Sequence, residues 1–465
     1  MTLDPRELFE FHSQIIEKSI SKRRFHHEDI IPLIKKLDKQ PLFDVNNIGS
    51  SYEGRDIYSV KIGRGKTKVM LWSQMHGNEP TASMALLDIF NFFQQNDSFS
   101  DLKKYLLDHL TLYFIPMLNP DGINRYQRRN ALGIDMNRDA VSLQSPESQI
   151  LKSFRDKINP EFGFNLHDQD NAHGAGNSGN PATISFLAPP IDYSKTVNNT
   201  REKAIQLIAS LYPVLNTFIP GHIGRYSDDF EPRAFGENIQ IAGTSTVLLE
   251  SGGYKRDLEK QFVRKINFLA ILSAAYFIAS GDYQHADMDT YFNIPQNEKR
   301  MFDFIIRNVR LYDECNVDIG ITRNEKEIPD QQDFYFHSNI DDLGDLTGYY
   351  GYDEFDAKGL NLHSGATYPQ TFNSLFDIER TSSTDLLRRG YTHVRVKSRL
   401  NLPEFSEYPL HIITSEKDIN SIRIEQNPNF LLYKKDQLKY VVINGFLFDI
   451  NNNKINIPNG IIERG

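Results

Sequence analysis

The sequence predicts an α/β domain over residues 1–290 followed by a β-rich domain over residues 291–465. Between about residues 55 and 280, short apolar runs alternate with helical patterns, the signature of helices layered on a sheet. Beyond about residue 285 the texture changes: Tyr, Phe, Asp and Asn become more frequent and short β-type runs appear. A chain of 465 residues is also long enough for two or three domains, each with its own core.

Residues 1–40 carry Phe9, Phe11, Ile15, Ile16 and Ile20 at roughly helical spacing, which predicts a helical lead-in that packs on the α/β core. Val69 to Trp72 reads as a buried strand. After a loop at 75–80, Met84, Leu87, Ile89, Phe90 and Phe93 recur at helical spacing, with Pro80 suited to the first turn. Thr111–Ile115, Phe162–Leu166 and Ser245–Leu249 read as three further strands. Ser145-Pro146-Glu147 is a helix-start signal, and Ile150, Leu151, Phe154 and Ile158 form the apolar stripe behind it, predicting a helix over 146–157. His173 to Gly179 is Gly-rich and reads as a flexible loop. Thr392–Val396 and His411–Thr414 read as strands of the second domain, and 430–433 with 440–443 as a hairpin.

Hydrophobic content of 39%, aromatic content of 12% and charged content of 24% are those of a folded globular chain. The net charge of −9 supplies no broad positive field for nucleic-acid phosphates, so nucleic acid is not an expected partner. Cys315 is the only cysteine, which excludes an intrachain disulfide and a Cys-rich metal cluster and leaves His and carboxylate as metal ligands. The first residues, Met1 to Glu7, lack the basic start and apolar run of a secretory signal, and the longest apolar stretch, Phe268–Ala279, is short for a membrane span. The expectation is a cytoplasmic chain with no membrane partner and a buried helix at 268–279.

In open α/β sheets, ligands bind outside the carboxyl ends of the strands, so the polar residues just past the four strands are candidates to converge. They are His76-Gly77-Asn78-Glu79-Pro80; Asn119-Pro120-Asp121-Gly122, with Arg128-Arg129 and Asp135-Met136-Asn137-Arg138 following; His167-Asp168; and Glu250-Ser251-Gly252. A catalytic zinc site needs three N/O ligands and one open position, and His76, Glu79 and His167 meet that count. The spacing by itself says little. His26/Asp29, His76/Glu79 and His167/Asp170 all show it, close to what chance supplies for 13 His and 61 acidic residues. Context separates them, because His76 and His167 each follow a buried strand and His26 does not.

These motifs, together with Ser50 to Ile57, resemble the zinc carboxypeptidase family of carboxypeptidase A/B type over roughly residues 45–282, in the family's order and strand placement. The resemblance implies a mixed central β-sheet flanked by helices and one Zn²⁺ per chain, held by His76, Glu79 and His167. Glu250 would be the general base and acid, and Arg128 would neutralise the oxyanion, with Arg129 as the register alternative. Asn137 and Arg138 would hold the terminal carboxylate of a peptide or peptide-like substrate. Asp135 would orient His76. Tyr226 is the nearest match for the family's mobile substrate-contacting Tyr, and Arg233, Phe235 and Glu237 all remain open as the residue lining the side-chain pocket.

The implied activity is hydrolysis of a C-terminal amide bond in peptides. Two alternatives stand beside it: an amidase or deacylase acting on cell-wall-type peptides or N-acyl amino acids through the same site, and a catalytically silent peptide-binding module. Taken singly, each residue also has a plain structural reading: loop histidines, a Glu complementing a helix dipole, surface arginines, an ordinary turn at 119–122. Glu250 fits such a reading least, since it ends an apolar strand just before Gly252-Gly253.

Overall fold

The computed structural model describes residues 3–312, 315–328, 331–397, 402–415, 422–452 and 454–463; Met1 and Thr2 of the N-terminal stretch lie outside them. The chain divides into two compact units, Met1–Lys299 and Arg300–Gly465.

The first unit runs α1 (Pro5–Ile15), α2 (His27–Leu37), β1 (Asp44–Ser50), β2 (Asp56–Gly63), β3 (Thr67–Ser73), α3 (Thr81–Gln94), α4 (Ser100–His109), β4 (Leu110–Ile115) and α5 (Pro120–Asn124). It continues with α6 (Pro146–Ile158), β5 (Phe162–Asp168), β6 (His173–Ala175), β7 (Ile184–Leu187), α7 (Asn199–Asn216), β8 (Ile223–Arg225), α8 (Phe235–Ile241), β9 (Ser245–Ser251), α9 (Gln261–Ser280), α10 (Asp289–Phe292) and β10 (Asn297–Lys299). Eight strands form one mixed sheet in the order β1-β2-β4-β3-β5-β9-β7-β8. Its centre, β4-β3-β5-β9, is parallel, while β2 joins β4 and β7 joins β9 in antiparallel fashion.

The apolar runs read from the sequence are these central strands, buried on both faces as parallel strands covered by helices must be. The two-residue period of a strand sorts them. Val69 and Leu71, Leu112 and Phe114, Phe162, Phe164 and Leu166, and Val247 and Leu249 pack with α1, α3, α7 and α9 in one core. Met70 and Trp72 point the other way, to Ile115, Leu151, Phe235 and Ile239 near α6 and α8. The lead-in forms α1 and α2, whose Leu8, Phe11, Ile15, Ile30 and Ile34 join the first core. Helix α9 is long and apolar enough to cross a membrane, yet 78% of its apolar window is buried inside the unit.

Helix α6 starts as its signal predicts: Ser145 Oγ accepts from the Ser148 N–H at 3.2 Å, and Pro146 fills the first position. The stretch read as a flexible loop at 173–179 is turn and bend over 176–179 but starts as a strand. His173–Ala175 is strand β6, paired antiparallel with β10. Its glycines hid a strand whose partner lies more than 120 residues away, beyond the reach of any local pattern.

Among the described residues, the second unit is β-rich. Strands at Met301–Tyr312, Cys315–Glu327, Phe334–Gly344 and Tyr350–Asp356 join those at Asn361–Ser364, Phe430–Lys434, Gln437–Ile443 and Phe446–Asp449 in one sheet. A five-stranded sheet holds Ala366–Phe372, Tyr391–Val396, His411–Ile413, Gly460–Glu463 and Phe405–Ser406. Phe430–Lys434 and Gln437–Ile443 pair as an antiparallel hairpin.

Candidate functional site

The site forms where β3, β5 and β9 end. Leu166 and Leu249 face the first core, so the next residues, His167 and Glu250, project to the opposite face. The parallel register sets His167 directly beside Glu250. His76 and Glu79 come from the loop between β3 and α3, which passes close to the backbone of α5. A Cβ on Gly77 would lie 2.0 Å from the Gly122 carbonyl carbon, so this approach requires glycine. The 119–122 motif builds the other wall: Asn119 accepts from the Gly122 N–H at 2.9 Å and donates to the Met75 carbonyl at 3.1 Å. Buried Asp121 accepts from Ser51 Oγ and Arg55 Nη1, each at 2.7 Å, which anchors the Ser51–Arg55 turn to the same wall.

The candidate ligand atoms of His76, Glu79 and His167 all lie within 4.8 Å of one another, and the three residues are buried. His76 Nδ1 is 2.7 Å from Glu79 Oε1, and His167 Nδ1 is 2.7 Å from Glu79 Oε2 and 3.1 Å from His76 Nδ1. His76 Nε2 stands 3.1 Å from Asp135 Oδ1. Both ring nitrogens of His76 thus face carboxylates, which only accept; were Nδ1 to ligate a cation, the ring proton would sit on Nε2 and donate to Asp135. Two imidazole nitrogens and a carboxylate converging in a buried place share protons between them, and with those protons displaced this donor set suits Zn²⁺. Burial favours the neutral form of Glu79, but His76 and His167 outweigh it and hold the carboxyl well below its usual range. Asp135 is likewise held low against its own burial, by His76 and by Arg128.

Arg128 lies against this cluster. Its Nη1 donates to His76 Nδ1 at 3.1 Å and to Glu79 Oε1 at 3.3 Å, and its Nε to Asp135 Oδ2 at 3.0 Å. Arg129 does not join it; its Nη1 donates to the Gly133 carbonyl at 2.9 Å. Of the two register alternatives, Arg128 is the one at the cluster. Asn137 donates its N–H to Asp135 Oδ1 at 3.0 Å and accepts from the Phe235 N–H at 2.9 Å. The Arg138 guanidinium, partly exposed, donates to the Asn137 carbonyl at 2.7 Å and pairs with Glu231 at 3.2 Å. Tyr226 is mostly buried: burial and then the negative charge of Glu250 push its hydroxyl up to about 12, so the phenol stays protonated and can donate.

Burial pushes the Glu250 carboxyl up to about 8; His167 opposes the shift, and the charges of Glu79 and Asp168 add to it. Glu79, Asp168 and Glu250 are three carboxyls drawn from water around one point, another reason for a cation there.

Sequence reasoning named Asp168 but missed the residues that hold it, Thr81 and Lys260. The Asp168 N–H donates to Glu79 Oε2 at 3.2 Å, and the buried Asp168 carboxylate accepts from Thr81 Oγ1 at 2.6 Å and Lys260 Nζ at 3.2 Å. Lys260, in the left-handed conformation at the start of α9, also donates to the Ser251 carbonyl at 2.9 Å. Nothing in the local pattern marks it, because its partner is 92 residues away.

Residues 31–201 match the family model of zinc carboxypeptidases, a span that includes the three candidate ligands, Arg128, Asp135, Asn137 and Arg138. Carboxypeptidase 2 of Trichophyton rubrum is 28% identical over 103 residues, 22% of this chain and 19% of that protein. Human carboxypeptidase D is 25% identical over 238 residues, 46% of this chain and 16% of that protein. The chain thus spans about a fifth of the length of such relatives. A solved metallo-carboxypeptidase from Burkholderia cenocepacia is 16% identical, with a TM-score of 0.45 over 56% of this chain and 70% of that one.

Proposed function

We propose, on the premise that residues 31–201 belong to the zinc carboxypeptidase family, that this chain hydrolyses the C-terminal amide bond of peptides with a free carboxylate. The convergence of His76, Glu79 and His167 beside Glu250 carries this reading. Zn²⁺ held by these three residues would lower the pKa of a bound water toward neutrality and polarise the scissile carbonyl. Everything else is the work of the chain. Asp135 keeps the His76 proton on Nε2, so that Nδ1 stays free to ligate. The Glu250 carboxylate takes a proton from the attacking water and returns it to the leaving nitrogen. Glu250 would serve as this base in its ionised form, which a cation held by His76, Glu79 and His167 would favour against its burial. Arg128 offers its guanidinium, already held by Asp135, to the oxyanion that develops. Asn137 and Arg138 grip the substrate's terminal carboxylate, which fixes the scissile bond one residue from the chain end. Tyr226 supplies a neutral hydroxyl donor to the bound peptide.

The test is elemental analysis of the purified chain and of His76→Ala, with a mixed peptide library as substrate. About one zinc per chain, lost in the variant, with release of single C-terminal residues is the expected result. Zinc without release of C-terminal residues would overturn the peptidase reading in favour of an amidase or deacylase, and absence of stoichiometric metal would overturn the site itself.

A further inference from the structure

Behind Arg138 the chain carries its own carboxylate. Glu231 Oε2 pairs with Arg138 Nε at 3.2 Å, while both Glu231 oxygens accept from Arg233, Oε1 from Nε and Oε2 from Nη2, each at 2.9 Å. The Arg233 N–H donates to the same Oε1 at 3.2 Å. The bridge is built into the fold. The Phe235 N–H reaches Asn137 Oδ1 at 2.9 Å and the Ala140 N–H reaches the Arg233 carbonyl at 3.1 Å, so the 231–235 segment is stitched on both sides to the 137–140 turn. Glu231 thus sits between two guanidiniums held in fixed register, with Arg138 Nη2 left unpartnered on a side chain 40% exposed.

Charge counting gives this arrangement a meaning. Arg138 and Arg233 carry two positive charges and Glu231 one negative, so these three groups together offer a single net positive charge, matched by one carboxylate. A C-terminal Asp or Glu brings two. We propose that Glu231 makes the site select against C-terminal residues with an acidic side chain, by neutralising Arg233 and repelling a second carboxylate. This inference rests on the carboxypeptidase reading for the place of the terminal carboxylate at Arg138. It adds a residue that touches no reacting atom and acts on specificity through the charge it places beside the clamp. Buried Glu237, whose Oε1 accepts from the Glu231 N–H at 3.4 Å, places a further acid on the same side.

The test compares two isosteric substrates, Ac-Ala-Ala-Gln and Ac-Ala-Ala-Glu, on the zinc-loaded full chain. Wild type is expected to favour Gln at least tenfold in kcat/KM. Glu231→Gln removes the negative charge and exposes Arg233, and should shift that ratio at least tenfold toward Glu, in KM and not in kcat. Adding Arg233→Gln to that variant should return the preference for Gln. Should Glu231→Gln not fold, Arg233→Gln alone leaves Glu231 to cancel Arg138; both substrates should then weaken, the Glu peptide more. An unchanged Gln/Glu ratio in Glu231→Gln, or a change carried by kcat, would overturn the proposal. If the zinc-loaded wild type hydrolyses neither peptide, the carboxypeptidase reading fails separately. Calorimetric dissociation constants for the same two peptides then decide the selectivity: a tenfold preference for Gln that Glu231→Gln abolishes supports it, and equal or undetectable binding contradicts it.

Discussion

Glu250 is predicted to make the metal-free protein lose stability as pH rises, and Glu250→Gln to remove that loss. The carboxyl is at about 8 in the folded state against an ordinary 4.5, chiefly because it is buried. Below pH 4.5 it is protonated in both states and folding carries no penalty. Between about 4.5 and 8 the unfolded chain releases the proton while the folded chain keeps it, so stability falls with each pH unit. At 1.36 kcal/mol per unit the loss reaches about 5 kcal/mol by pH 8. Trp72 is the only tryptophan and is fully buried in the first unit, which makes its fluorescence a local reporter for urea unfolding. With metal removed by chelation, Glu250→Gln should gain several kcal/mol over wild type between pH 5 and pH 8.5. Groups distant from Glu250 titrate alike in both proteins and cancel in the difference. A wild-type/variant difference that is the same at both pH values would refute the argument that Glu250 is buried among like charges.

Asp135→Asn should bind zinc about 10–100-fold more weakly by competition with a chelator, since an amide no longer fixes the His76 tautomer as a carboxylate does. Lys260→Met leaves the Asp168 carboxylate buried without its cation and should cost about 3–5 kcal/mol, read as a fall in the urea midpoint of Trp72 fluorescence. Gly77→Ala drives a Cβ into the Gly122 backbone and should cost on the order of 1–3 kcal/mol, with weakened zinc binding because the displaced loop carries His76 and Glu79.

The central strands were legible because a parallel strand covered on both faces must be apolar at nearly every position, as Phe162–Leu166 and Ser245–Leu249 show. Strands β7 and β8 lie toward the edge and are short, and β6 is glycine-rich; their pairing depends on partners far along the chain. At the site, His76, Glu79, His167 and Glu250 could be picked out because each lies at or just past the carboxyl end of an apolar strand, and the family resemblance gave them their roles. Thr81 and Lys260, which hold Asp168, could not. They are ordinary residues of helix starts whose roles arise only when α3 and α9 are brought to the end of β5. Glu231 shows the same limit. Its sequence neighbourhood offered several charged residues, and only the fold set its carboxylate between Arg138 and Arg233.

The most direct test of the account compares wild type and Glu250→Gln for zinc content and for release of C-terminal residues from peptides. The account predicts about one zinc per chain in both proteins, with kcat in the variant lower by about 10²–10⁴. Undiminished kcat in a zinc-loaded Glu250→Gln would contradict it.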